Sequence, residues 1–171
     1  QALDSVNASG LDKEFLAEQR AHIDYTYRSI FLHVAMYLVK NENFTENWRK
    51  ELAEIINQPV DSDYLRSYRG IGLFINDLIG AQFIKLENGK PEEIKDYCSF
   101  RFDRYRKFFK GDNLQYAQAL LIYEDEFQTR NTPSIPQLYE RYKAEFPNSP
   151  FLSVLEPGVN KNLRFQNSRI D

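Results

Sequence analysis

The residues of this chain that could do chemistry are few and scattered. His22 and His33 are the only histidines, and Cys98 is the only cysteine. Glu18 precedes His22 by four residues, which puts both on one helical face. A carboxylate-bridged metal pair in a helical bundle uses Glu-x-x-His on two helices. Here the spacing is Glu-x-x-x-His and it occurs once, so one surface and one partly buried histidine are expected, and no metal site. Cys98 lies among Ile94, Tyr97 and Phe102, with Arg101 and Arg104 close in sequence. A reactive thiol needs an exposed, electropositive setting. The apolar neighbours favour a buried thiol acting as a small hydrophobe.

Three further clusters invite a chemical reading. Arg101 to Lys110 interleaves basic residues with rings, the pattern of a strand-binding groove. On a helix the two sets separate: Phe102, Tyr105 and Phe109 are expected inward, and Arg101, Arg104 and Lys107 toward water. Gly70-Ile71-Gly72 lacks the preceding strand and completed glycine pattern of a nucleotide loop. Glu124-Asp125-Glu126 is expected to be a solvated face, because adjacent helical residues point apart and form no tight acid–base pair. No zinc pattern, phosphate loop or nucleophile elbow is present. No catalytic, cofactor-binding or metal residue is therefore assigned, and no cofactor is expected.

Bulk composition agrees with a globular helical chain. Of 171 residues, 42% are hydrophobic and 15% aromatic, so a core can be built largely from Phe and Tyr. The formal net charge of -3 supplies no global basic field for nucleic acid or anionic lipid. No apolar run reaches the roughly 20 residues of a membrane-spanning helix. A single cysteine forbids an internal disulfide.

Periodicity places the elements. Apolar residues at Phe15, Leu16, Ile23, Tyr27, Ile30, Phe31, Val34, Ala35 and Leu38 predict one long helix from Gly10 to about Lys40, with these residues on its inner face. Thr45 caps a second helix through Trp48, Leu52, Ile55 and Ile56, which Pro59 ends. Asp61 is expected to cap a third, running through Tyr64, Phe74, Leu78 and Phe83 and carrying Gly70, Gly72 and Gly80. Asn88-Gly89-Lys90 reads as a turn. Pro91, Glu92 and Glu93 suit the start of a fourth helix extending to Phe109. A fifth carries Leu114, Leu121 and Phe127. A sixth spans Gln137 to Phe146 and a seventh Phe151 to about Phe165. No alternating strand pattern occurs. The fold class is all-α, a bundle or irregular array of about six to seven mostly antiparallel helices. Residues 1–9 are expected as a flexible segment and 10–171 as a single helical domain, with 137–171 a helical pair or connector.

The stretch Leu138, Tyr139, Tyr142, Phe146, Pro147, Asn148, Ser149 and Pro150, followed by Leu155-Glu156-Pro157, resembles a helical accessory region that precedes the thioredoxin-fold domain of TlpA/ResA-like envelope thiol–disulfide oxidoreductases. That family works through a Cys-x-x-Cys pair. This chain has none, and Cys98 matches neither position, so no catalytic residue carries over. The resemblance implies a non-catalytic accessory domain of a periplasmic or envelope protein, with the redox domain beyond Asp171. Gln1 without a leader and the open Asn167–Asp171 end fit that expectation of a longer protein. The implied partner is another protein or the chain's own downstream domain, with a homodimer as a further arrangement. A tetratricopeptide-like interaction module and an enzyme of unrecognised class are the alternative readings.

Overall fold

The computed structural model describes residues 12–40, 45–60, 64–67, 70–86 and 93–168. Among them are seven α-helices and no strand, as expected for the all-α class: α1 (Lys13–Lys40), α2 (Glu46–Asn57), α3 (Ile71–Leu86), α4 (Tyr97–Phe108), α5 (Gly111–Phe127), α6 (Ile135–Glu145) and α7 (Leu152–Asn167). A short 3₁₀ turn, Leu65–Ser67, precedes α3. The contacts cluster into two compact units, Gln1–Gly89 and Lys90–Asp171, a finer division than the one helical domain drawn from sequence. The segment 1–9, the Asp61 cap, the Asn88–Lys90 turn, Pro91 and Glu92 lie outside the described residues.

In the first unit α1 packs chiefly on α3, and α2 touches both. The core joins Tyr25, Leu32 and Ala35 of α1 to Leu52, Ile55 and Ile56 of α2 and Phe74, Ile75 and Leu78 of α3. Thr45 caps α2 as its sequence predicts, its hydroxyl accepting from the Trp48 N–H at 3.5 Å. The third helix starts later than expected, at Ile71. Gly70 stands immediately before it, and the Gly70 carbonyl accepts from the Phe74 N–H at 3.0 Å. An N-terminal glycine of this kind costs little, unlike one in a helix interior.

The structure buries Leu16 and Ala35 of the inner face assigned to α1 from sequence and corrects most of the rest. Phe15, Ile23, Tyr27, Ile30 and Val34 are exposed, and the buried stripe is Tyr25, Arg28, Ser29, Leu32 and Ala35. The helix is apolar on two faces, so hydrophobic spacing alone could not say which one meets α3.

In the second unit α5 is central, touching α4, α6 and α7. It buries a broad face, with Leu114, Ala117, Gln118, Leu121, Ile122 and Asp125 on it, as a helix packed by three neighbours must. Phe127, counted among the apolar residues of this helix, is its exposed last residue, its ring stacked on that of Tyr123 at 6.2 Å. The fourth helix begins at Tyr97 rather than near Pro91. Asp96 caps it, its carboxylate accepting from the Ser99 N–H at 3.1 Å and the Ser99 hydroxyl at 2.7 Å. Gly111 opens α5 with φ +50°, in the left-handed region that glycine enters without steric cost.

Candidate interaction surface

Local packing engages most of the groups that suggested chemistry. His22 Nε2 lies 3.9 Å from Glu18 on its own helix, and the exposed His33 has Nδ1 3.2 Å from Asp77 Oδ2. Among the described residues no group of three or more His, Cys, Asp or Glu side chains is placed to hold a metal ion. Cys98 is buried, as its neighbours suggested. Its thiol sits 3.9 Å from the Thr132 hydroxyl. Burial pushes the thiol above its ordinary pKa, and the Asp125 and Asp96 carboxylates add to the rise against the opposing Thr132 contact and Arg101 charge. A thiol so held is a poor nucleophile.

Two arginines are buried where exposure or silence was expected. Arg101, assigned to water from sequence, is buried beneath α5. Its Nη2 donates to the Tyr105 hydroxyl at 2.8 Å and lies 3.8 Å from Glu124. Burial then drives the Tyr105 phenol strongly upward in pKa. The other rings of that stretch, Phe102 and Phe109, are buried as predicted. Arg106 grips Glu145 through both terminal nitrogens, and Arg141 meets Asp103.

Arg28 was not singled out from sequence, although it falls three residues after Tyr25 and four before Leu32, on the core stripe. Its guanidinium is 2% exposed. It donates to the carbonyls of Ile55, Gln58 and Pro59 at 3.4, 3.3 and 3.2 Å, and its Cζ lies 5.1 Å from the Phe74 ring centroid. Helix α2 has no basic residue in its own last turn, so Arg28 serves carbonyls at and just past its C-terminus, and the negative dipole end, from a neighbouring helix.

The acidic run on α5 also departs from its expected solvated face. Asp125 is buried and accepts from the Thr132 N–H at 3.2 Å, the Thr132 hydroxyl and Asn162 Nδ2 at 3.3 Å. Asn162 also donates to the Thr132 carbonyl at 3.1 Å, and Gln166 Nε2 to the Asn131 carbonyl at 2.8 Å. The α5–α6 loop is thereby tied to both α5 and α7. The helix ends in a Schellman pattern: Thr129 N–H donates to Glu126 O at 2.9 Å and Arg130 N–H to Asp125 O at 3.0 Å. The left-handed position there, usually glycine, is Thr129 at φ 53°.

Part of the α1 surface is apolar and exposed. Ile23, Tyr27, Ile30, Val34 and Tyr37 follow one another in steps of four, three, four and three. They are 57, 52, 60, 38 and 68% exposed. This is the spacing of a coiled-coil seam, in which one helix meets another. A recess of about 340 Å3 lies among His22, Ile23, Thr26, Tyr27 and Ile30. The set i, i+3, i+4 and i+7, here Ile23, Thr26, Tyr27 and Ile30, is the four-residue hole that accepts a knob from a facing helix. The seam is braced from behind. The Tyr27 hydroxyl donates to Glu51 at 2.7 Å, and Phe31 packs on Trp48 at 4.7 Å between centroids. That hydrogen bond, with burial and the Glu51 and Glu54 charges behind it, raises the Tyr27 pKa.

A second apolar recess, about 250 Å3, lies between α5 and α7 against Tyr116, Leu120, Tyr123, Phe151 and Val154. No helix among the described residues is long and apolar enough to cross a membrane. No protein-family model, curated protein or solved structure matches this chain.

Proposed function

We propose that this chain is a non-catalytic helical accessory domain that works by presenting the α1 seam to another protein helix. The observation that carries the reading is the exposure of Ile23, Tyr27, Ile30, Val34 and Tyr37 in heptad spacing on a helix whose opposite face is already buried. Apolar surface of this size and regularity marks an interaction site. The polar groups with reactive potential support the same reading from the other side. Asp125, Arg28 and Arg101 spend their hydrogen bonds on loops, a helix end and a ring hydroxyl. Within this proposal the larger protein is a TlpA/ResA-like envelope oxidoreductase, supported by the Leu138–Pro157 pattern. A reading frame that continues past Asp171 without a Cys-x-x-Cys pair removes that attribution and leaves the interaction role standing.

A photo-crosslinking residue at position 30 or 37, installed in the producing cell, tests the role. The expected result is a discrete protein adduct at both positions and none at exposed Glu14 on the same helix. Absence of any adduct at 30 and 37 overturns the reading.

A further inference from the structure

We draw no further inference here: the strongest candidate, the apolar recess between α5 and α7 lined by Tyr116, Leu120, Tyr123, Phe151 and Val154, is an open face, and nothing in the structure shows what covers it.

Discussion

Replacing Asp125 with alanine removes the acceptor for three donors at once: the Thr132 N–H, the Thr132 hydroxyl and one Asn162 N–H. Asn162 keeps its second acceptor, the Thr132 carbonyl, so its loss is partial. A hydrogen bond to a charged acceptor contributes roughly 1.5–3 kcal/mol when buried. Thr132 is only part-buried, and water will solvate its N–H and hydroxyl in the variant. Counting about 1–1.5 kcal/mol for each donor gives a loss of about 3–4 kcal/mol. For a unit of some eighty residues, with a stability of roughly 4–12 kcal/mol, that is a large fraction. Asp125→Asn retains one carbonyl oxygen but turns an amide N–H toward groups that are themselves donors, so it should fall between wild type and alanine. Urea unfolding followed by circular dichroism measures the difference. With a slope of about 2 kcal/mol per molar, the alanine variant should lose about 1.5–2 M in midpoint. A shift below about 0.5 M, the size of an ordinary surface substitution, would refute the claim that this carboxylate holds the loop to α5 and α7.

Other consequences follow from the same contacts. Thr129→Gly should raise stability by about 1 kcal/mol, because glycine relieves a β-branched residue held at φ 53° in the Schellman position; a loss in thermal unfolding would contradict it. Asp96→Ala should cost about 1 kcal/mol near neutral pH through loss of the α4 cap. Burial opposes ionisation of Asp96, but the hydrogen bonds from Ser99 outweigh it and lower its pKa. The cap therefore stabilises above the unfolded-state carboxyl pKa and loses its advantage as pH falls through the folded value, so wild type and variant should converge in acid. Arg28→Met should cost about 3 kcal/mol by leaving three carbonyls of the α2 end without a charged donor, and Arg28→Lys should recover only part of it, since one ammonium cannot span all three. Denaturant titration of both variants gives the comparison.

The helices were legible because their signals are local. Thr45, Pro59 and the Pro147–Pro150 turn set boundaries by capping or by steric exclusion, and the absence of alternating apolar runs excluded strands. The orientation of α1 was not legible. A helix that buries one apolar face and leaves another open gives overlapping periods, and only the neighbours decide which face is core. Arg28, Arg101 and Asp125 show a second limit. Each lies in step with buried residues of its helix, Arg28 with Tyr25 and Leu32, Arg101 with Cys98 and Tyr105, Asp125 with Gln118 and Leu121. Their charge argued for water, and tertiary partners overruled it: helix-end carbonyls for Arg28, Glu124 for Arg101 and a loop hydroxyl for Asp125. A charged residue in phase with an apolar stripe was the signal available, and it marks a buried polar anchor as readily as a break in the stripe. The left-handed Thr129 left no sequence cue, because the position favours glycine and none is there.

The division of α1 into a core face and a docking face can be measured on one helix. Ile30→Asp and Leu32→Asp are compared by urea unfolding at a dilution where the wild-type chain is monomeric. Ile30 is 60% exposed and Leu32 fully buried. The expected result is an Ile30→Asp midpoint within experimental error of wild type and a collapse of the folded state in Leu32→Asp. Equal destabilisation of the two would mean that residue 30 belongs to the core, and the seam would no longer be an open surface.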